Sequence, residues 1–331
     1  MMFIDYQGLA KTKRALVGLG DSFVAGQGAI DDELYETYQW IHHGPGIPLD
    51  VQVDQKTKLE IVKKYPTLRL TDHGGINPIE MWRKNCFLNV LAEKYLEGRY
   101  SVINFGIPGG ANRGRVKELY LNPRIDWNSL EEIIVIYMPT SIERFDFVDD
   151  SNPFAPWKTI WPKSPDGSEK TSRGKLWDAY GMAVFSEKSA MIEQLAIVQE
   201  LLTWTKLHKA KLIITPGFDN RYQKAMMRKI LSMKVERNDD WEIVNETHDD
   251  PDFRANDFLN LFPWQYLLKP EGHATMAHLC MSKEPSLLNN EDFYQQFQNN
   301  RSPLGWMTPC SHPGQKGHDL YARLVWEFLN S

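Results

Sequence analysis

Ser22 follows an apolar run, Leu16-Val17-Gly18-Leu19, at the point where it breaks into Gly20-Asp21-Ser22. His312 lies near the other end of the chain, in Ser311-His312-Pro313-Gly314, immediately ahead of a strongly helical tail. A serine hydroxyl is a weak nucleophile until a base draws off its proton, and an imidazole within hydrogen-bond reach is the usual base. An early serine and a late histidine, each at the mouth of a regular element, therefore point to acyl transfer through a serine ester. Attack on a carbonyl also needs donors aimed at the oxyanion that develops. The segment Asn104-Phe105-Gly106-Ile107-Pro108-Gly109-Gly110-Ala111-Asn112 suits that task, because glycines after a strand allow a tight turn whose backbone N–H groups converge.

Four short aliphatic runs read as strands: 15–20, 100–105, 133–138 and 211–216. None alternates between apolar and polar residues, the pattern of parallel strands covered on both faces. Met191, Leu195, Val198 and Leu202 repeat at helical spacing, as do Leu320, Leu324 and Phe328 in the tail, where Pro313 suits a first-turn position. Strands alternating with helices predict an α/β fold: a doubly wound, flavodoxin-like parallel sheet of about five strands with helices on both faces. Ligands of such sheets bind at the carboxyl ends of the strands, where Ser22 and the glycine segment fall. Residues 41–80, 146–175 and 220–305 break the rhythm with prolines, glycines and mixed aromatic and charged residues, and read as three long loop insertions in one domain spanning 1–331.

The composition excludes several classes. With 331 residues, 42% hydrophobic, 24% charged and a net charge of −5, the chain carries a sizeable core and no basic footprint for nucleic acid. No run approaches membrane-spanning length and the first residues lack an apolar signal stretch, so the expectation is a cytoplasmic protein that does not engage a membrane. Three scattered cysteines, Cys86, Cys280 and Cys310, fit reduced thiols better than a disulfide framework. His42, His43, His273 and His278 form no recognisable metal-ligand spacing, so no metal and no organic cofactor are expected.

Taken together, Gly20-Asp21-Ser22-Phe23, Asn104 to Gly109, and His312-Pro313 with Gly317-His318 resemble the blocks of the SGNH/GDSL hydrolase family, in order along nearly the whole chain. The resemblance implies Ser22 as nucleophile, His312 as base, and the backbone amides of Ser22 and Gly109 as oxyanion donors. Two departures stand beside it. The family's third block supplies an asparagine to the oxyanion hole, whereas the third strand here runs into Pro139-Thr140-Ser141-Ile142-Glu143-Arg144, leaving a hydroxyl of Thr140 or Ser141 as the side-chain candidate. The family's acid stands three residues before its histidine, where this chain has Pro309, leaving a backbone carbonyl to orient the imidazole. The nearest downstream acid, Asp319, should point away from it. The Thr-Ser-x-x-Arg pattern resembles a divergent, phage-type branch, which adds virion association to the expected settings.

The expected activity is hydrolysis of a carboxylic ester, with a short acyl (acetyl) group on a carbohydrate as first choice; the partner is a small-molecule or glycan ester. The rival is a non-catalytic protein of the same fold, a virion component or glycan-binding module, favoured by the missing asparagine and acid. Asp21 reads as a residue that caps or tightens the turn, Trp264 and Tyr266 as loop packing before a sugar platform. Cys310 lies too near His312 in the chain to pair with it as a nucleophile.

Overall fold

The computed structural model describes residues 9, 11–29, 55–66, 69–70, 76–77, 79–122, 124–140, 144–148, 157–160, 187–217, 262–268, 275–283, 306 and 312–331. Its strands in chain order are β1 (Arg14–Leu19), β2 (Arg69–Leu70), β3 (Ile76–Asn77), β4 (Ser101–Asn104), β5 (Glu132–Tyr137), β6 (Phe145–Val148), β7 (Trp157–Ile160) and β8 (Lys211–Ile214). The helices that matter for the site are α1 (Ser22–Ala25), α2 (Phe87–Val90), α3 (Asn112–Leu121), α4 (Glu187–Leu207) and α5 (Gln315–Leu329).

The four aliphatic runs of the sequence form one parallel sheet in the order β4-β1-β5-β8. Beyond β8, Leu267 pairs in parallel with Ile214, and the Leu268 N–H donates to the Ile214 carbonyl at 2.9 Å. This α/β sheet is apolar on both faces, as unbroken aliphatic strands require. On one face Ala15, Val17, Leu19, Ile133, Val135 and Tyr137 share a core with Val116 and Leu119 of α3 and Leu195, Val198, Leu201 and Leu202 of α4. On the other, Leu16, Ile134, Ile136 and Met138 join Phe87 and Leu88 of α2 and Tyr321, Leu324 and Val325 of α5. The alternation of strand side chains thus deals successive residues to two separate cores.

Register decides which loops share an edge. Gly18 stands opposite Asn104 in β4 and Ile136 in β5, and Leu19 opposite Tyr137. The three strands therefore end together, and the segments after them leave the sheet side by side. Backbone bonds extend the alignment past the strands: Phe105 N–H to the Gly18 carbonyl, Ile107 N–H to Gly20, and Met138 N–H to Leu19.

Parts of the expected insertions are regular or buried. Residues 41–80 include a helix at Gln55–Lys64 and the β2–β3 hairpin, while β6 and β7 form an antiparallel pair that overlaps 146–175. Within 220–305, Phe262 and Leu267 lie in the first core, and Leu268, Met276, Leu279 and Cys280 in the second. Those residues are structural, because the Met276 and Ala277 N–H groups close onto Pro216 and Gly217 after β8. Trp264 and Tyr266 pack against the first core and are partly buried, with the Phe262 and Trp264 rings 4.9 Å apart. The basic stretch 221–237 lies outside the described residues. Cys86 and Cys280 are buried free thiols. Among the described residues no helix is long and apolar enough to cross a membrane.

The tail helix α5 starts two residues after Pro313: Gly314 is the N-cap, so the proline stands ahead of the helix rather than in its first turn. His318, one turn into α5, is fully buried and takes the Phe87 N–H on Nδ1 at 3.2 Å, fastening α5 to α2. Burial, and behind it the neighbouring His312, push the His318 pKa down to about 3. The folded ring thus stays neutral while an unfolded one takes a proton at about 6.5. Stability is whole above about 6.5 and is lost as the pH falls towards the folded value, at about 1.4 kcal/mol per pH unit. In His318→Asn the Oδ1 atom keeps the Phe87 bond without a titrating ring. The expected outcome is a melting temperature that drops less between pH 7 and pH 5 than in the wild type; parallel curves would assign the acid sensitivity to other groups.

Candidate active site

The site is assembled at the aligned carboxyl ends of β1, β4 and β5. After β1 the chain turns at Gly20-Asp21 into α1, a four-residue helix with Ser22 as its first residue. Asp21 is the N-cap, its carboxylate accepting the Phe23 N–H at 3.1 Å, and Gly26 closes the helix at φ 84°. The short helix holds Ser22 in a nearly enclosed position, 7% exposed.

His312 comes from the segment leading into α5 and is half-buried. Its Nε2 lies 2.7 Å from Ser22 Oγ, across 290 residues of chain. The Phe23 ring sits 5.1 Å from the imidazole, tilted by 43°, and supports it from the nucleophile's own helix. The Gly314 N–H, donating to the Trp306 carbonyl at 2.8 Å, fixes the entry to α5 just beyond the histidine. This geometry suits proton transfer from hydroxyl to imidazole, since the two atoms are within ordinary hydrogen-bond distance.

The glycine segment is pinned against α1. Asn104, at the end of β4 and buried, donates from Nδ2 to the Val24 carbonyl at 2.7 Å and accepts the Gly106 N–H on Oδ1 at 2.8 Å. A Cβ on Gly106 would stand 2.3 Å from the Ala25 nitrogen, so only glycine allows this approach. Gly109 turns the chain with φ 75°, in the left-handed region that glycine tolerates. From below, Arg115 of α3, buried, donates to the Phe105 carbonyl at 3.3 Å.

The segment after β5 is held by Asn112 and Gln194, to which the sequence reading gave no role, together with Thr140 and Arg144. Asn112, first residue of α3, pairs with the Thr140 backbone in both directions: it accepts the Thr140 N–H at 2.7 Å and donates to the Thr140 carbonyl at 3.0 Å. Asn112 also donates to Gln194 of α4 at 2.7 Å, and Gln194 to the Tyr137 hydroxyl at 2.7 Å. The Thr140 hydroxyl donates to Asp21 Oδ2 at 2.6 Å. In this structure that proton goes to a buried carboxylate, so Thr140 would have to give up the Asp21 bond to serve as the expected oxyanion donor. Arg144 pairs with the same Asp21 oxygen at 2.9 Å. Asp21 therefore does more than tighten its turn.

Ser141, Pro309, Cys310, Ser311, His42, His43 and His273 lie outside the described residues. Asp319 is engaged elsewhere, by Lys94 at 3.3 Å and Gln315 at 3.0 Å. His318, with Nδ1 taken and the ring fully buried, serves the fold. Among the described residues no three His, Cys, Asp or Glu side chains cluster as a metal site would. No family model matches the chain, and no curated protein and no solved structure matches it.

Asn104 gives a direct check on how the glycine segment is held. Asn104→Asp keeps the size and the Gly106 contact but sets a carboxylate oxygen against the Val24 carbonyl. Losing a buried donor in this way costs about 1–3 kcal/mol. The expected result is a lower urea midpoint with an unchanged slope; an unmoved midpoint would show that the segment is held by other contacts.

Proposed function

We propose that this protein is a serine hydrolase of the SGNH/GDSL type, built on a doubly wound, flavodoxin-like sheet, that cleaves carboxylic esters. The observation that carries the reading is the 2.7 Å contact between Ser22 Oγ and His312 Nε2, formed by residues from opposite ends of the chain. In the proposed cycle His312 Nε2 takes the Ser22 proton as Oγ bonds to the ester carbonyl carbon. The tetrahedral oxyanion is received by the backbone N–H groups of Ser22 and Gly109. Its collapse breaks the bond to the alkoxy oxygen, which leaves as the alcohol with the proton from His312. Water, deprotonated by the same imidazole, then attacks the acyl carbon; the bond to Oγ breaks, the carboxylic acid leaves, and the imidazolium returns its proton to Ser22. No step calls on a metal or cofactor.

Within carboxylic esters the proposed substrate is a short acyl group, acetyl above all, on a carbohydrate. The enclosure of Ser22, 7% exposed, supports a small acyl group. Trp264 and Tyr266 are partly buried and packed against the first core, so the carbohydrate part of the reading does not rest on them. The alternative is a non-catalytic binding or structural protein on the same scaffold. It draws on the Thr140 hydroxyl, which while bonded to Asp21 leaves the oxyanion to backbone donors as far as Thr140 is concerned.

A panel of p-nitrophenyl esters from acetate to long-chain acyl groups tests the proposal. Wild type should turn over the short esters, and Ser22→Ala should lose on the order of 10⁶ in kcat while remaining folded. Activity should fall on acidification as His312 gains a proton and can no longer act as base, and His312→Ala should remove that limb along with the rate. Equal hydrolysis by wild type and Ser22→Ala would end the proposal, and an inert wild type would favour the non-catalytic alternative.

A further inference from the structure

The Arg144 guanidinium stands where the three segments of the proposed site meet. One nitrogen, Nη1, donates to Asp21 Oδ2 at 2.9 Å, to the Gly110 carbonyl at 3.1 Å and to Thr140 Oγ1 at 2.7 Å. Each acceptor follows a different strand: Asp21 follows β1, Gly110 follows β4 and Thr140 follows β5. Asp21 adjoins Ser22 in the chain, and Gly110 adjoins Gly109. A single cationic nitrogen is thus bonded one residue away from the nucleophile and one residue away from the amide assigned to the oxyanion.

We propose that Arg144 is a positioning residue of the hydrolase, setting the separation between Ser22 and the Gly109 N–H through its bonds to Asp21 and Gly110. The inference rests on the reading of Ser22 as nucleophile. The side chains of Arg144 and Asp21 are 13% and 1% exposed, so water does not replace the bond when it is broken. Charge-assisted hydrogen bonds of this kind are short and strong, and removing one partner leaves the other charge buried and uncompensated. Without Arg144, the Asp21 carboxylate retains only the Thr140 hydroxyl and the Phe23 N–H among the bonds described above, and the Gly110 carbonyl loses its tie to the nucleophile turn. These bonds of Arg144 run to Asp21, Gly110 and Thr140 rather than to Ser22 or His312, so it acts through the turns that carry them. Its loss therefore falls on the chemical step rather than on substrate binding.

The chemistry of the contact selects the variants. Because the bonds to Asp21, Gly110 and Thr140 leave one nitrogen, a lysine ammonium with its three donors can stand in for it at these acceptors, from a slightly shorter side chain. Methionine fills similar space with no donor and no charge. Kinetics with p-nitrophenyl acetate and thermal melts are measured on wild type, Arg144→Lys, Arg144→Met and Asp21→Asn. A displacement of about 1 Å at a catalytic group costs on the order of 10²-fold. On that scale Arg144→Met should lower kcat by about 10–10²-fold with KM within about threefold, while Arg144→Lys stays within about fivefold of wild type. Asp21→Asn keeps an acceptor for Phe23 but discards the charge that Arg144 binds, and carries the same expectation as Arg144→Met should the latter fail to fold.

The inference is overturned if Arg144→Met, or Asp21→Asn in its place, turns over at the wild-type rate. It is equally overturned if the lysine and methionine variants lose kcat alike, in step with their melting temperatures, because that marks a purely structural role. An active wild type with an unaffected Arg144→Met removes this inference alone. A wild type inert towards every ester removes the hydrolase reading, and the inference with it.

Discussion

A carboxylate buried beside the nucleophile is the constraint around which this site is arranged. Asp21 is 1% exposed, and a charge so enclosed has to be met by donors from the protein itself. They come from three places: the Phe23 N–H within α1, the Thr140 hydroxyl after β5, and the Arg144 guanidinium four residues further along the chain. Satisfying one side chain therefore draws the ends of two strands together around Ser22, and Arg144 extends the tie to Gly110 after β4.

That arrangement is available only because the sheet sets it up. β1, β4 and β5 are parallel and in register at their carboxyl ends, so residues distant in sequence emerge from the same edge. Two cores, one on each face, keep the strands in place, and α5 belongs to the second of them. The burial of Tyr321, Leu324 and Val325, with the bond from Phe87 to His318, fixes α5 against α2. The position of His312 at the foot of α5 follows from this packing. The 2.7 Å contact with Ser22 is thus the meeting of an element anchored on the sheet's edge with one anchored on its face.

The sequence made the sheet legible because a parallel strand buried on both faces is predominantly apolar, and the runs at 15–20, 100–105, 133–138 and 211–216 are short and mostly aliphatic. The stripes through Leu195, Val198 and Leu202 and through Leu320 and Leu324 marked α4 and α5 for the same reason. The hydrogen-bonded scaffold of the site was far less legible. Asn104, Asn112 and Arg144 are ordinary residues for turns and surfaces, and only tertiary geometry tells which backbone or carboxylate they meet. Thr140 shows the difficulty well: a hydroxyl was visible, but its acceptor, the Asp21 carboxylate, was not. One cue was present in the spacing, since Thr140 and Arg144 are four residues apart and both follow a strand that borders Asp21's own. Phe262, Leu267 and Leu268 illustrate a second limit, because proline- and aromatic-rich stretches resemble loops in sequence even when β8 requires them to complete its core.

The central claim is that the Ser22–His312 contact activates a nucleophile. Reaction of the folded protein with a fluorophosphonate, followed by peptide mapping, tests this without any assumption about the natural ester. The account predicts a single phosphonylated peptide with the adduct on Ser22, formed readily by wild type and suppressed in His312→Ala. Unmodified Ser22 in the folded wild type, or labelling that is indifferent to His312, would contradict it.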